Sequence, residues 1–448
     1  MKTNPPRTDP QPSLRRALGK WDLTAIGVNQ VIGGAIFLLP SAVAAQVAGW
    51  GWIAFLLTGL ASLLVALCFA EVSSRFDSTG GPYLYARAAF GDFVAFEVGW
   101  MQWFTRVSSH ASVVNGIALA LAFYWPALAM GAGRAGIIIG LTVVLTVINI
   151  LGIRHSAWVV NILTIGKMLP LAVFILVGIF FVDTGLLGSL EAVTWEQAST
   201  AALLLIFVYG GYDVVPVPAG ESRNPERHLP FALVTTIVIV TLIMTLGQFV
   251  AMGTLPDLAS SSTPLADSAL LFMGASGALM IGIGSVISMT GNNAGQILTG
   301  SRMLFALAEN DALPGWFGRV HPKFRTPANA ILFSSALALA LALTGSFVMM
   351  AVVSAVARLV TYTGACAATL VLRAPRFEKA VKRATFIVPG GPVIPVLAVL
   401  SSMIILVGAT RQQLLGGAAG LAGGAALFLL NRWGRRRQIP GPGAGSDS

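Results

Sequence analysis

Apolar runs separated by short polar breaks follow one another along nearly the whole chain. Most runs are close to the roughly 20 residues that an α-helix needs to cross a bilayer. The pattern predicts an all-α integral membrane protein with twelve transmembrane helices, numbered one to twelve in chain order. Their predicted bounds are 22–46, 51–72, 93–123, 135–152, 157–181, 199–221, 229–252, 268–307, 328–345, 348–372, 386–409 and 414–432.

Two of these runs contain glycine pairs where a helix would pass mid-membrane. VIGGAIF occupies 31–37 in helix one, and FVYGGYDVVPVPAGE, with two prolines after its glycines, occupies 207–221 in helix six. A helix is broken at that depth only where the break is buried in protein or lines a cavity. Glycine pairs also allow ordinary close packing between helices. Their occurrence at two matching places in the chain favours two discontinuous helices.

Helices one and six are the first members of two predicted five-helix repeats, at 22–181 and 199–372. An odd number of crossings gives the repeats opposite orientations, which is the inverted-repeat organisation of secondary transporters. Two further helices, within 386–433, follow the repeats. The predicted organisation is therefore a cytoplasmic tail at 1–21, a transporter domain at 22–433 and a cytoplasmic tail at 434–448.

The two breaks are expected to present main-chain groups of opposite polarity. Unwinding at Gly33 and Gly34 frees the N–H groups of 34–37 at the positive end of a half-helix, which suits a carboxylate. Unwinding at 209–211 frees carbonyl groups at the negative end of the other half-helix, which suits an ammonium group. Together the breaks predict a site for an α-amino acid held by main-chain atoms.

The composition agrees with a membrane location and excludes several classes of protein. Hydrophobic residues make up 56% of the 448 residues, charged residues make up only 10%, and the mean hydropathy is +0.80. A soluble globular domain does not have this composition. The sequence carries no metal-binding, phosphate-binding or nucleophile-elbow motif. We therefore predict no enzyme activity, no metal site and no cofactor.

The net charge of +10 reflects topology rather than nucleic-acid binding. Twenty-two of the 28 Lys and Arg residues fall in the two tails and in alternate loops, whereas the remaining loops hold only Arg134 and Arg411. Basic residues concentrate on the cytoplasmic side of membrane proteins. The distribution predicts cytoplasmic N- and C-termini in a plasma membrane, such as a bacterial inner membrane, and no nucleic-acid partner.

Four segments resemble the motifs of one family of transporters. They are IGGAIF (32–37), STGGPYLYARAAFG (78–91), GGYDVVPVPAGESRNPERHLP (210–230) and SRMLFALAENDALPGWFGRVHPKFRTP (301–327). Together they are similar to amino acid permeases of the amino acid/polyamine/organocation (APC) superfamily, which share the leucine-transporter-like fold. Ala35 departs from the pattern, because the family has a second glycine there. The resemblance implies amino acid transport by alternating access, without covalent chemistry.

The breaks and the resemblance together define the expected site. The predicted substrate-binding residues are Ile32, Gly33, Gly34, Ala35, Ile36, Gln102, Arg106, Phe207, Val208, Tyr209, Gly210, Asn292 and Gln296. The predicted coupling and gating residues are Lys167, Asp213, Ser354, Arg358 and Tyr362. The last three are four residues apart, so they share one face of helix ten.

Lys167 lies midway along predicted helix five, among apolar residues. The resemblance places its ammonium group where sodium-coupled relatives bind an ion between helices one and eight, and therefore implies sodium independence. A buried lysine that releases its proton would carry protons. A permanently charged lysine bonded to carbonyl groups of helix one would instead be a structural strut, and the sequence leaves both roles open.

Charged residues inside the predicted helices bear on the choice of substrate. Arg106, Lys167 and Arg358 are expected to bring positive charge to the central region, and Asp213 and Glu97 negative charge. Such a pocket disfavours polyamines and cationic amino acids and favours neutral or acidic amino acids. Alternatively, Arg106 and Asp213 neutralise each other and the pocket is simply polar.

The sequence therefore predicts a secondary active transporter of amino acids that is coupled to protons and independent of sodium. A sodium-independent exchanger or an exporter is the alternative within transport. An ion channel would need a symmetric ring of carbonyls or charges, which two unlike breaks in one chain do not provide. The expected partners are a small amino acid, protons and lipid, and the expected assembly is a monomer or a loose homodimer.

Overall fold

The computed structural model of the chain describes residues 18–78, 80–151, 156–324, 326–379 and 381–438. Most of the two predicted tails lies outside this part of the chain. Within it the residues form helices joined by turns, and no strand is present. The predicted all-α class is therefore confirmed for the described residues.

Fifteen α-helices are present in the described chain. They are α1 (Lys20–Val31), α2 (Ala35–Leu38), α3 (Pro40–Val47), α4 (Gly51–Ser73), α5 (Pro82–Phe90), α6 (Asp92–Ala122), α7 (Gly131–Leu151), α8 (Ser156–Gly178), α9 (Trp195–Val208), α10 (Pro225–Thr254), α11 (Pro264–Glu309), α12 (Ala328–Thr344), α13 (Phe347–Val371), α14 (Val393–Val407) and α15 (Arg411–Gln438). Each of the twelve predicted segments contains at least one of these helices. The short α5 lies outside those segments.

Seven helical stretches are long and apolar enough to cross a membrane. They are Lys20–Leu38, Pro40–Ser73, Gly131–Leu151, Pro225–Thr254, Pro264–Glu309, Phe347–Val371 and Arg411–Trp433. Four shorter apolar helices accompany them, at Gly166–Phe181, Trp195–Val208, Ala328–Thr344 and Val393–Val407. Many of the large apolar side chains that these helices expose are suited to contact with lipid.

The predicted break in helix one is present. Helix α1 ends at Val31, and the ψ of 83° at Ile32 is not helical. A new helix, α2, begins at Ala35, and Pro40 starts α3 after the turn at Leu39. Proline is well tolerated at such a position, because the first N–H group of a helix has no partner within that helix. Predicted helix one is thus three short helices in series.

The predicted break in helix six is also present, and it packs directly on the first break. Helix α9 ends at Val208, well before the predicted end of helix six at 221, and the chain continues in turns. Gly211 has a φ of +136°. A Cβ atom at this position would lie 2.6 Å from the carbonyl carbon and oxygen of Gln30 in α1. Both the backbone conformation and the close approach therefore require glycine.

Two other predicted helices differ from the structure for reasons of local chemistry. Predicted helix eight, 268–307, is α11, and Gly274 interrupts it with a φ of 69° and a ψ of −164°. Predicted helix eleven begins at 386, whereas α14 begins at Val393. The residues before α14 include Gly390 and Gly391, both with positive φ, so the apolar run there is not helical.

The buried helix α6 lies at the centre of the structure. It packs along α11 on one side and α13 on another. Helix α11 in turn packs on α8, while α4 packs along α10, and α10 along α1. This arrangement brings the two breaks face to face beside α6, α11 and α13, where the candidate site lies.

Candidate functional site

A small cavity lies between the two breaks. Its walls come from the α1–α2 break, the middle of α6, the end of α9, the middle of α11 and the middle of α13. The lining residues are Gln30, Val31, Gly33, Gly34, Ala35, Ser109, Val113, Phe207, Gly210, Asn292, Gln296 and Arg358. Seven of the thirteen predicted substrate-binding residues are among them.

The first break presents unused main-chain donors to this cavity. The N–H group of Gly33 donates to the Val31 carbonyl at 2.9 Å, and that of Phe37 to the Gly34 carbonyl at 3.1 Å. In the part of the chain that the structure describes, the N–H groups of Gly34 and Ala35 have no main-chain acceptor. Donors at the start of a helix favour an anion, so this edge of the cavity suits a carboxylate.

The carbonyl groups of the first break are occupied by side chains of other helices. Lys167 in α8 is fully buried, and its Nζ atom donates to the carbonyl oxygens of Asn29 and Ile32, at 2.7 Å each. Its ammonium group therefore caps the carbonyl end of α1 at the break. The ammonium group of Lys167 thus lies beside helix one, where the resemblance places it.

Helix α11 holds the same break from the other side. Ser288 donates through Oγ to the carbonyl of Gly33 at 2.9 Å, and Asn292 donates through Nδ2 to the carbonyl of Gln30 at 2.8 Å. A Cβ atom on Gly33 would lie 3.0 Å from the Asn292 amide group. The break is thus a fixed and largely hydrogen-bonded element rather than a frayed helix end.

The second break is covered by an arginine. Arg358 in α13 places Nη1 at 3.4 Å from the carbonyl oxygens of Ile206 and Phe207, at the end of α9. A Cβ atom on Gly210 would lie only 1.1 Å from Nη1, so the guanidinium group occupies the space that this glycine leaves free. The end of α9 was predicted to hold a substrate ammonium group, and it already faces a cation.

Asp213 follows the second break and is paired with two arginines. Arg106 in α6 donates from Nη2 to its Oδ2 atom, and the Arg358 Nε atom lies 4.0 Å from Oδ1. Arg106 also places Nη1 at 3.3 Å from Oε1 of Gln296, and the Gly211 N–H group donates to Asp213 at 3.2 Å. The pairing of Arg106 with Asp213 that the sequence suggested is therefore present.

The predicted contribution of Glu97 to this region is wrong. Glu97 precedes Arg106 by nine residues, which turns it by about 180° around α6 and moves it about 13 Å along the axis. A Cβ atom on Gly424 in α15 would lie 2.9 Å from its Oε2 atom. Glu97 thus faces the last helix, and Asp213 is the one carboxylate that the described structure places among the three buried cations.

Several predicted site residues are buried beside the cavity without lining it. Ser354 bonds to Ser109 through their hydroxyl oxygens at 2.6 Å. The Tyr362 ring packs on Tyr212, with ring centroids 5.3 Å apart. Tyr209 turns away, because its hydroxyl group donates to the Phe55 carbonyl of α4 at 2.8 Å. The other predicted residues outside the lining are Ile32, Ile36, Gln102, Arg106, Lys167, Val208 and Asp213.

Four lining residues were missed by the sequence-based prediction. Gln30 and Val31 directly precede the predicted break, so a wider window around the glycines would have included them. Ser109 lies three residues after Arg106 and therefore on the same face of α6. Val113 lies one further turn along that face and lacks any polar group that would have marked it.

Buried main-chain breaks in apolar helices, around a cavity that presents unused donors and charged side chains, are features of a membrane transporter. In the described residues no group of His, Cys, Asp or Glu side chains is arranged to hold a metal ion. Residues 18–414 match the family model described as "Amino acid permease". The chain belongs to this family, and it is a multi-pass membrane protein of amino acid transport.

Three relatives from Bacillus subtilis (strain 168) illustrate the range of the family. A serine/threonine exchanger is 31% identical and covers 88% of this chain and 91% of its own length. A methylthioribose transporter is 28% identical, and the match covers 86% of this chain and 87% of the relative. A branched-chain amino acid permease is 27% identical, with 89% of each chain covered. The family and these relatives are named as permeases, exchangers and transporters, not as enzymes.

Proposed function

We propose that this protein is a secondary active transporter that moves amino acids across the plasma membrane by alternating access. It is coupled to protons, is independent of sodium, and accepts neutral or acidic amino acids in preference to cationic ones. The observation that carries the proposal is the cavity between the two breaks, where the N–H groups of Gly34 and Ala35 have no main-chain acceptor within the described chain. A substrate carboxylate binds there.

The proposed topology has twelve transmembrane helices in two inverted repeats, with both termini in the cytoplasm. Its parts are the repeats 22–181 and 199–372, the last two helices at 386–433, and the tails 1–21 and 434–448. The helix packing supports this arrangement. Helices α6 and α13, which pack together, are helices three and ten, and the packed helices α8 and α11 are helices five and eight. In two five-helix repeats, helix three is equivalent to helix eight and helix five to helix ten. The two packed pairs are therefore equivalent, as a repeat requires.

The proposed inner gate is the pair Arg106–Asp213. Ser109 and Val113 line the cavity and follow Arg106 along α6, which starts at the cytoplasmic side in this topology. Arg106 therefore lies between the cavity and the cytoplasm. Its ion pair joins α6 to the segment after the second break, and this contact must separate before a substrate can leave inward. Ser354 and Tyr362 support the same region from α13.

Lys167 is the proposed coupling residue. Its ammonium group holds the carbonyls of Asn29 and Ile32, so loss of its proton would weaken the contact between α8 and the first break. Proton release and a change in the shape of the break are thereby linked. A sodium ion would need these same carbonyl oxygens, which are already bonded.

A sodium-independent exchanger is the second candidate. The two 2.7 Å hydrogen bonds of Lys167 are as compatible with a permanently charged side chain that only stabilises the first break as with one that carries protons. The similarity to a serine/threonine exchanger over 88% of this chain also favours this alternative. Substrate binding at the two breaks is common to both candidates, whereas a response to a proton gradient belongs only to the first.

Transport is tested with the purified protein in liposomes, by the uptake of labelled amino acids against protein-free liposomes. A Cβ atom on Gly34 would lie 2.7 Å from the Met289 side chain of α11, so Gly34→Val should displace the first break and its free N–H groups and lower uptake by about 100-fold. Gly136→Val in α7 is the matched control, because a Cβ atom at Gly136 meets no atom within 4 Å. Uptake that survives Gly34→Val unchanged would refute binding at the first break.

A further inference from the structure

Arg358 is the buried cation of the site with the weakest set of partners. Only 2% of the residue is exposed. Its hydrogen bonds are all long: 3.4 Å to the carbonyls of Ile206 and Phe207, and 3.5 Å from Nη2 to the Ser109 hydroxyl. Hydrogen bonds between an N–H donor and an oxygen acceptor are normally about 2.7–3.2 Å long. Its Nε atom has no hydrogen-bond partner among the described residues.

The other two cations near the cavity have stronger partners, although Nε of Arg106 also lacks a hydrogen-bond partner among the described residues. Arg106 holds Asp213 in a direct ion pair, and Lys167 makes two hydrogen bonds of 2.7 Å to main-chain carbonyls. The Asp213 carboxylate is 4.0 Å from Arg358, beyond hydrogen-bond range. Arg358 therefore has donors to spare, and they belong to a residue that lines the cavity.

The balance of charge points the same way. Three buried cations surround the described site, and Asp213 is their single carboxylate there because Glu97 faces α15. If Lys167 were neutral, an excess of one positive charge would still remain. An unpaired buried charge is strongly unfavourable. A neutral amino acid is a zwitterion and adds no net charge, whereas a substrate with a second carboxylate adds one negative charge, which balances the site when Lys167 is neutral.

We propose that Arg358 is a specificity-determining residue that binds a second carboxylate of the substrate, so that the protein prefers dicarboxylic amino acids. This inference rests on the proposed transport function and narrows its substrate class. The first carboxylate binds the N–H groups of Gly34 and Ala35. The second one meets the guanidinium fork of Arg358, with the Ser109 hydroxyl beside it. Arginine suits this role because its fork matches the geometry of a carboxylate.

The test is uptake of labelled aspartate, glutamate, succinate, serine, threonine and leucine by the wild type in liposomes. Aspartate or glutamate should enter at least about tenfold faster than any neutral amino acid, a ratio that corresponds to about 1.4 kcal/mol. Succinate has two carboxylates but no ammonium group, so its uptake shows whether two carboxylates suffice or an amino acid is required. Faster uptake of serine, threonine, leucine or succinate than of both acidic amino acids would overturn the inference. A complete lack of uptake would refute the proposed transport function instead.

Variants of Arg358 test the residue itself. Arg358→Gln should reduce the ratio of acidic to neutral uptake by about tenfold or more, to near one, because the second carboxylate loses its charge partner. Arg358→Lys keeps the charge without the fork and should recover part of that ratio. Arg302→Gln is the matched control, because Arg302 lies at an exposed position of α11. An unchanged ratio in Arg358→Gln would overturn the inference. If Arg358→Gln does not fold, the relative uptake of acidic and neutral amino acids by the wild type still tests the inference.

Discussion

Glu71, near the end of α4, and Arg373, just beyond α13, are joined by two hydrogen bonds. Nε of Arg373 lies 2.7 Å from Oε1 of Glu71, and Nη2 lies 2.5 Å from Oε2. The main-chain N–H group of Val388 also donates to Oε2, at 2.9 Å. One buried carboxylate therefore ties the segment between α13 and α14 to α4. Hydrogen bonding to Glu71 raises the pKa of Arg373, which keeps this pair charged.

Glu71→Gln should destabilise the protein by about 2–3 kcal/mol, because it leaves Arg373 facing a neutral amide in a largely buried place. Thermal unfolding of the purified variant in detergent measures the change. Glu378→Gln is the matched control, since its pair with Arg383 is exposed and should contribute less than about 0.5 kcal/mol. Equal melting temperatures for the two variants would contradict this account of the Glu71 pair.

Lys382 links three segments on the same side of the protein. Its Nζ atom lies 2.8 Å from Asp77 and 3.3 Å from Glu226, and these contacts raise the pKa of Lys382 above its ordinary value of 10.5. A raised pKa contributes stability that is fully present below the ordinary pKa and is lost as the pH rises through the folded-state value. Lys382→Gln should therefore melt below the wild type at pH 8, and the difference should shrink above pH 10.5.

The control for this pH dependence is Lys379→Gln. Lys379 is exposed in the same segment and makes no ion pair with the described residues. Its melting temperature should follow that of the wild type at every pH. A difference between wild type and Lys382→Gln that stays constant from pH 8 to about 11.5 would show that the ion pairs are not its cause.

Asp213→Asn should be more damaging than Arg106→Gln. Without Asp213, both Arg106 and Arg358 remain buried without a carboxylate, and loss of a buried ion partner costs about 3–5 kcal/mol. Without Arg106, Asp213 still has Arg358 at 4.0 Å. Melting temperatures of the two purified variants give the order directly. A more stable Asp213→Asn variant would mean that Asp213 does not balance both arginines.

Gly211→Ala should prevent the two breaks from packing together. It forces a Cβ atom to within 2.6 Å of the Gln30 main chain, at a φ of +136°. We expect a loss of stability above about 3 kcal/mol, or no folded protein. Gly391→Ala is the control, since its φ is also positive but its Cβ meets nothing within 4 Å, so it should cost only about 1–2 kcal/mol. Similar losses in both variants would contradict a close contact at Gly211.

Apolar runs in the sequence predicted the positions of the helices closely. Helix α4, predicted at 51–72, is Gly51–Ser73, because a run of lipid-length apolar residues bounded by turns has few other conformations in a membrane. The breaks were predictable because glycine pairs are conspicuous within such runs. Helix α14 was predicted too early, since hydropathy does not register the backbone conformation of Gly390 and Gly391.

The direction in which a side chain points was harder to predict than its helix. Glu97 and Arg106 lie on one helix, and only their angular separation around α6 shows that they serve different contacts. Arg358 was predicted on the correct face of α13 with Ser354 and Tyr362. Its place against Gly210 depends on how α9 and α13 pack, which the sequence of either helix does not contain.

The central claim is proton-coupled, sodium-independent transport through Lys167, and uptake under imposed gradients tests it most directly. Liposomes containing the wild type are given an inward proton gradient, an inward sodium gradient, or internal unlabelled substrate alone. We predict that the proton gradient accelerates uptake, that the sodium gradient has no effect, and that Lys167→Ala abolishes the response to protons. Uptake driven by sodium in the wild type would contradict the account, and uptake that requires internal substrate and ignores the proton gradient would establish the exchanger in its place.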